Sequence, residues 1–170
     1  HGVKIVRPVR IVGACMTTIP GTAAGTCRLD AREKGRHFDI QTGSGVTVTF
    51  EKLALVNGKR TGSSGGALRM KNSGFLHLLS VHFKDNKAGF SGGALYIDKS
   101  QPAALESCTF SNNEAVQGGA IRVEYNALLA KNSTFDTNTA SLKGGAVSAF
   151  NAQMSTFTNS TFVSNTAPGG

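Results

Sequence analysis

Asp98 and Glu124 are the two carboxylates in the sequence with the best case for acid–base chemistry. They lie 26 residues apart, which is also the spacing of a repeat described below. Glycoside hydrolysis needs two carboxyl groups about 5 to 9.5 Å apart, and lyase chemistry commonly adds an acidic calcium cluster. The ten acidic residues include no Asp-Asp or Asp-x-Asp pair. The sequence therefore favours a solvated ladder for this pair, with a polysaccharide lyase or hydrolase as the alternative.

Other catalytic or metal-binding patterns are weak. The four histidines are scattered, and His77 and His82 are five residues apart, a spacing that places them on opposite faces of a single strand. No Gly-x-Ser-x-Gly motif stands between a strand and a helix, as a nucleophile elbow requires. We therefore expect no catalytic residue, no cofactor and no metal site.

Arg69, Tyr96 and Arg122 fall on successive repeats at equivalent positions. On stacked strands they would form a stripe with about 4.8 Å between neighbours. Two guanidinium groups flanking a ring could hold a sulfated or carboxylated glycan through charge-assisted hydrogen bonds and stacking. The plainer interpretation, which the sequence favours, is a ladder that keeps the surface soluble.

The three cysteines divide into two groups. Cys15 and Cys27 bracket a turn-rich loop and could form a disulfide in an oxidising compartment, whereas Cys108 occupies an apolar repeat position and is predicted to lie in the core. Asn132 and Asn159 begin Asn-Ser-Thr sequons for N-glycosylation. Their aligned positions suit a polar ladder at a turn equally well.

A repeat governs the rest of the chain. Phe-x-x-Asn-x-Ala precedes Gly-Gly-Ala, which is followed by Leu, Ile or Val, and the glycine pairs stand 27, 26, 26 and 25 residues apart, beginning at Gly65, Gly92, Gly118, Gly144 and Gly169. A unit of this length cannot bury a core alone and must stack on its neighbours. The repeat therefore indicates a solenoid.

Apolar residues alternate with polar ones within each repeat, without helical periodicity, which indicates short strands. The fold class is therefore predicted as all-β, a right-handed single-stranded parallel β-helix of about 26 residues per coil with two to three strands in each. The glycine pairs are expected at corners that need positive φ or close approach of coils. Two internal ladders follow from the motif, one of Phe83, Phe110, Phe135 and Phe162, and one of Asn86, Asn113, Asn138 and Asn165, the asparagines lying where a turn begins.

We divide the chain by its motif content. Residues 63–170 carry the regular repeats, and residues 1–62 are predicted to form one or two irregular N-terminal coils, with residues 14–35 as a protruding loop. The whole is expected to be one β-helix segment of a longer chain, stacked on other segments or copies of the same protein.

Composition narrows the partners. A net charge of +8 and a pI near 9.8 are compatible with acidic polysaccharide, anionic membrane or nucleic acid. Nucleic-acid binding would need several exposed aromatic rings among the basic residues. The predicted stripe contains one ring, Tyr96, so we expect no nucleic-acid partner. No apolar run approaches the roughly 18 residues of a membrane-spanning helix.

The pairing of Gly-Gly-Ala-[Leu/Ile/Val] with Phe-x-x-Asn over residues 63–170 resembles the repeats of chlamydial polymorphic outer membrane proteins and of similar β-helix proteins from bacteria and algae. The resemblance implies an extracellular or cell-surface β-helix with structural or adhesive work and no catalysis. In the bacterial family a membrane β-barrel that exports the helix follows it. Similarity to the algal extracellular proteins implies assembly into surface fibres as readily as adhesion to a host. An enzyme acting on carbohydrate and a module binding acidic glycans stay as alternatives.

Overall fold

The computed structural model of the chain describes residues 2–13 and 26–168. Every regular element in these residues is a short β-strand. In chain order the strands are β1 (Val3–Ile5), β2 (Val9–Val12), β3 (Cys27–Asp30), β4 (Phe38–Ile40), β5 (Thr47–Glu51), β6 (Leu53–Val56), β7 (Lys59–Arg60), β8 (Leu68–Lys71), β9 (Phe75–Leu79), β10 (His82–Lys84), β11 (Lys87–Ala88), β12 (Leu95–Asp98), β13 (Ala103–Glu106), β14 (Thr109–Ser111), β15 (Glu114–Gln117), β16 (Ile121–Glu124), β17 (Leu128–Lys131), β18 (Thr134–Asp136), β19 (Thr139–Lys143), β20 (Val147–Phe150), β21 (Thr156–Thr158) and β22 (Thr161–Val163).

The strands form four parallel sheets that run the length of the solenoid. Sheet 1 has the order β1-β4-β8-β12-β16-β20, sheet 2 the order β2-β5-β9-β13-β17-β21, sheet 3 the order β3-β6-β10-β14-β18-β22, and sheet 4 the order β7-β11-β15-β19. The chain completes about five turns of about 27 residues. The predicted parallel solenoid is confirmed, but a full coil has four strands rather than two to three, because the residues after each motif asparagine form the short strands of sheet 4.

Stacked phenylalanines fill the interior, as the motif predicts. Rings of adjacent coils lie nearly parallel, with centroids 4.7 Å apart for Phe83 and Phe110, 5.0 Å for Phe110 and Phe135, and 4.6 Å for Phe135 and Phe162. The first three are fully buried, and Phe162 in the last described coil is 47% exposed. The offset packing of aromatic rings at one strand spacing adds to the stabilisation from burying their area.

An asparagine ladder runs beside the phenylalanines. The Oδ1 atom of Asn113 accepts hydrogen bonds from the amide and the Nδ2 of Asn86, at 3.1 and 3.0 Å. The Nδ2 of Asn113 donates to the carbonyl of Phe83 one coil back, at 3.1 Å, and to the Oδ1 of Asn138 one coil forward, at 2.9 Å. Asn138 repeats the pattern with Asn165. The predicted ladder is confirmed, and its buried polar groups are paired as such groups must be.

Left-handed backbone occurs at the corners beside the ladder asparagines as well as at the glycine pairs. The residue before each ladder asparagine has positive φ, and these residues are Asp85, Asn112, Thr137 and Ser164. The ladder asparagine itself is not left-handed, because its side chain points inward to bond the next coil. In the four pairs that the structure describes, the first glycine has positive φ, as expected: Gly65, Gly92, Gly118 and Gly144. The second glycine approaches the neighbouring coil, and a Cβ added at Gly93 would collide with the carbonyl oxygen of Gly119.

The N-terminal coil without the motif stacks in the same register as the others. Leu55 pairs with Phe83 and Phe38 pairs with Leu68, so the coil is irregular in sequence and regular in backbone. Of the segment 14–35 predicted as a loop, Cys27–Asp30 form strand β3, which pairs with β6 at the start of sheet 3. Residues 14–25 lie outside the described residues.

Candidate functional site

The outward face of sheet 1 contains the predicted stripe and the predicted carboxylate pair. Parallel register places side chains from successive coils in two columns that share this face. One column contains Lys4, Asp39, Arg69, Tyr96, Arg122 and Ser148, and the other contains Lys71, Asp98, Glu124 and Phe150. Because alternate residues of a strand point to the same side, the two columns run side by side.

Arg69 is held by Asp39 on the preceding coil. The Nε and Nη2 atoms of Arg69 donate to the two carboxylate oxygens of Asp39 at 2.8 and 2.6 Å, a bidentate pairing that fixes both groups. Burial opposes ionisation of Asp39, but the hydrogen bonds and the charge of Arg69 outweigh it and hold the Asp39 pKa below its usual value. The same bonds raise the pKa of Arg69.

Tyr96 and Arg122 are both engaged with Glu124. The Tyr96 hydroxyl donates to one carboxylate oxygen of Glu124 at 3.1 Å, and the Arg122 Nε donates to the other at 2.9 Å. Arg122 also donates to the Ser148 hydroxyl at 2.6 Å and lies over the Phe150 ring. Burial and the nearby carboxylates raise the pKa of Tyr96, so its hydroxyl stays a proton donor.

The predicted stripe of Arg69, Tyr96 and Arg122 exists in register but is not open to solvent. Tyr96 is 8% exposed and Arg122 is 6% exposed, because their side chains lie along the sheet and bond to residues of the same face. Arg69 is half-buried and already paired. The three side chains therefore hold sheet 1 together rather than offering a free glycan surface.

Asp98 and Glu124 are neighbours on adjacent coils, as their spacing predicted. Lys71 lies 3.3 Å from Oδ2 of Asp98, while Glu124 is taken by Arg122 and Tyr96. The Oδ1 atom of Asp98 is buried and has no hydrogen-bond partner among the described residues. The pair therefore belongs to a network of charges, with one carboxylate oxygen unused.

The remaining predicted sites lie elsewhere. His77 and His82 occupy different strands, β9 and β10, separated by a corner at Ser80, so the assumption of one strand was wrong. Across residues 2–13 and 26–168, no three His, Cys, Asp or Glu side chains converge as metal ligands do. Asn132 and Asn159 are exposed at corners of positive φ, and the polar ladder at this turn is formed by the following residues, with Cys108 and Ser133 donating their amides to the hydroxyls of Ser133 and Ser160.

Cys108 is a buried free thiol in the core, as predicted. Burial raises its pKa to about 12. Cys27 is disulfide-bonded. Cys15 lies outside the described residues, so the pairing of Cys15 with Cys27 stays a prediction.

Asp39 and Lys71 also belong to this face, and sequence analysis identified neither of them as site residues. Arg69 and Asp39 are 30 residues apart, whereas the repeat averages about 26, so counting back by the repeat misses the pair. Lys71 stands 27 residues before its partner Asp98, and aligning the charged positions of neighbouring repeats would have found it.

Residues 31–169 match the family model of the right-handed β-helix region. The match covers most of the chain, and the protein therefore belongs to the right-handed β-helix family. Neither the curated proteins nor the solved structures contain a significant match to it. No helix that could cross a bilayer occurs in the residues that the structure describes.

Proposed function

We propose that this β-helix is a non-catalytic structural or adhesive segment of an extracellular or cell-surface protein. The observation that carries the proposal is the unbroken pair of ladders from coil to coil, formed by stacked phenylalanines and by asparagines. The most regular residues of the sequence lie inside, where they set length and stiffness. The outward residues, which vary from coil to coil, are left to make contacts.

Two further observations support a role outside the cell. The motif resembles repeats of the polymorphic outer membrane protein type, whose β-helices are displayed on or secreted from cells. The sequon residues Asn132 and Asn159 are exposed, so a glycosylating secretory pathway would find them accessible. We propose on this basis that partners are other segments of a surface protein, with acidic polysaccharide as a further partner.

Surface labelling of the organism that makes the protein tests this proposal. An antibody raised against the purified chain should stain intact cells or detect the protein in the medium, and permeabilisation should add little signal. Staining that appears only after permeabilisation would contradict the extracellular role.

A carbohydrate-active enzyme is the second candidate, and Asp98 is the observation that favours it. Its Oδ1 is buried without a hydrogen-bond partner among the described residues, and Asp98 pairs in register with Glu124 on the next coil. Paired carboxylates are the usual catalytic groups of glycoside hydrolases. The candidate is tested by incubating the chain with acidic polysaccharides and measuring new reducing ends and unsaturated products. Turnover that the double variant Asp98→Asn, Glu124→Gln abolishes would establish the enzyme and overturn the structural proposal.

A further inference from the structure

A small basic cavity lies at the edge of the outward face of sheet 1. It has a volume of about 250 Å³ and is lined by Gly2, Lys4, Arg36, Asp39, Arg60 and Arg69. Four of these side chains are cationic and one is a carboxylate. They come from three coils: Lys4 from β1, Arg36 and Asp39 from the turn before β4 and from β4 itself, Arg60 from β7, and Arg69 from β8.

Asp39 neutralises only one of the four cations, because its two oxygens accept hydrogen bonds from Arg69. Both accept hydrogen bonds from Arg69, and Oδ2 also accepts one from the side-chain amide of Gln41 at 3.2 Å. One cation is thereby matched to the one carboxylate. Lys4, Arg36 and Arg60 have no ion-pair partner among the described residues.

Arg36 is the most unusual of the three. Its side chain is 6% exposed, and the Gly2 backbone lies so close that a Cβ added there would come within 2.6 Å of the Arg36 Cγ. The Nη2 atom donates to the Ser63 hydroxyl at 3.1 Å, while the buried Nη1 finds no acceptor in the described part of the chain. A buried guanidinium with an unused donor is costly, since most such groups are paired.

Arg60 shows the same deficit. Its Nε is buried and also lacks an acceptor among the described residues. Burial lowers the pKa of Arg36 to about 10, and repulsion from Arg69 and Arg60 acts in the same direction. The attraction of Asp39 opposes this shift without cancelling it. Arg36 therefore stays charged at neutral pH, in a place that lacks the negative charge to match it.

We propose that this cavity binds an oxyanion, meaning the sulfate, phosphate or carboxylate group of a small ligand, either as a free ion or carried by an acidic sugar. Guanidinium groups present paired donors that match the oxygens of such groups. Pockets that enclose a drug-sized ligand measure roughly 300–1,000 Å³, so this smaller cavity suits one anionic group and the ring that carries it. None of the described residues that line it is aromatic, which disfavours a nucleotide base. This binding proposal is independent of the proposed extracellular location.

The test is a titration of the whole chain with three probes: sodium sulfate, sodium acetate and a sulfated disaccharide. Calorimetry gives the affinity, and the NMR signals of the arginine Nε–H groups report the site directly. We expect the Arg60 Nε–H signal to shift on binding and the affinity to fall steeply with added salt.

Matched variants separate this cavity from general basicity. Arg60→Gln and Arg36→Gln should each weaken binding by about tenfold or more, as loss of a charged hydrogen bond does. Lys131→Gln removes the same charge from an exposed position on β17 and should leave binding unchanged. Asp39→Asn, which frees Arg69 and removes the one carboxylate, should strengthen it. Circular dichroism confirms that each variant is folded.

The outcomes decide both the site and the source of the anion. Tighter binding of the sulfated disaccharide than of sulfate would indicate an acidic saccharide, and equal binding would indicate a free ion. Absence of binding by all three probes, or equal weakening by Lys131→Gln, would overturn the site. None of these results would contradict the proposed structural or adhesive function, which rests on the internal ladders.

Discussion

Asn113 joins three coils with a single side chain. Its Oδ1 accepts hydrogen bonds from Asn86 on the preceding coil. Its Nδ2 donates hydrogen bonds to the Phe83 carbonyl and to the Oδ1 of Asn138. The variant Asn113→Ala removes the acceptor of the buried Asn86 backbone amide and the Nδ2 donor to the Phe83 carbonyl. A buried polar group left without its partner costs about 1–3 kcal/mol. We predict a loss of about 2–4 kcal/mol in the free energy of unfolding, measured by urea denaturation. Lys84→Ala, at an exposed position beside Phe83, serves as the control, and equal effects of the two variants would contradict the ladder's importance.

Cys108 provides a chemical probe of the core. Burial raises the pKa of its thiol to about 12, and the thiolate is the reactive form. We predict that Cys108 of the folded protein resists a maleimide reagent at pH 7.5 and that urea above the unfolding midpoint exposes the Cys108 thiol to labelling. Mass spectrometry of the labelled peptide identifies the site. Rapid labelling of Cys108 in the native protein would show that the interior is open.

His37 couples stability to pH. Its Nε2 lies 2.9 Å from the Leu29 carbonyl oxygen, and burial lowers its pKa below the usual 6.5. Folding therefore favours the neutral form of His37. Its contribution to the free energy of unfolding is complete above about pH 6.5 and is lost as the pH falls toward the lowered pKa. We predict that the melting temperature declines as the pH falls below about 6.5 and that His37→Gln flattens this decline. His77→Gln, at an exposed position on β9, should not, and a slope that is the same in all three proteins would contradict the assignment.

At the scale of the coil, glycine decides whether neighbouring turns can approach. A Cβ added at Gly93 would collide with the Gly119 carbonyl, whereas one added at Gly43 would meet nothing within 4 Å. We predict that Gly93→Ala lowers the free energy of unfolding by about 1–3 kcal/mol or more, the usual cost of overpacking. Gly43→Ala should be nearly neutral, and thermal unfolding of both variants checks the pair. Equal stability of the two would show that the coils are not packed as described.

The strands of regular coils could be predicted from the sequence because the repeat fixes their register. Once Phe83 and Phe110 are equivalent, every residue between them has a known neighbour, and the Phe and Asn ladders follow. The left-handed corner residues were missed because Asp85, Asn112, Thr137 and Ser164 share a backbone conformation without sharing a residue type.

Solvent exposure was harder to predict than register. Tyr96 and Arg122 occupy outward positions, yet they are buried because each lies along the sheet to reach Glu124. Alternation gives the side of a strand on which a residue lies, and it does not give the bonds formed there. The cluster around Arg36 was missed for a related reason. Apart from Arg69, its members come from residues 1–62, which lack the motif, and the fold alone brings them together.

Across the whole molecule, the interior is uniform and the surface is not. The ladders repeat from coil to coil, whereas sheet 1 carries a basic cavity at one end and the Asp98–Glu124 network further along. A repeated interior and a varied surface suit a rigid support that makes different contacts along its length. We therefore assign function to the outward side chains.

The central claim is that the motif residues join the coils into one rigid unit. Amide hydrogen exchange of Asn86, Asn113 and Asn138, followed by NMR, tests it most directly. The Asn86, Asn113 and Asn138 amides are buried and donate to the Oδ1 of the asparagine one coil forward. We predict that all three exchange only through openings that cost nearly the full free energy of unfolding. Exchange at any of them through openings that cost far less would mean that the coils open independently, and it would contradict the rigid scaffold.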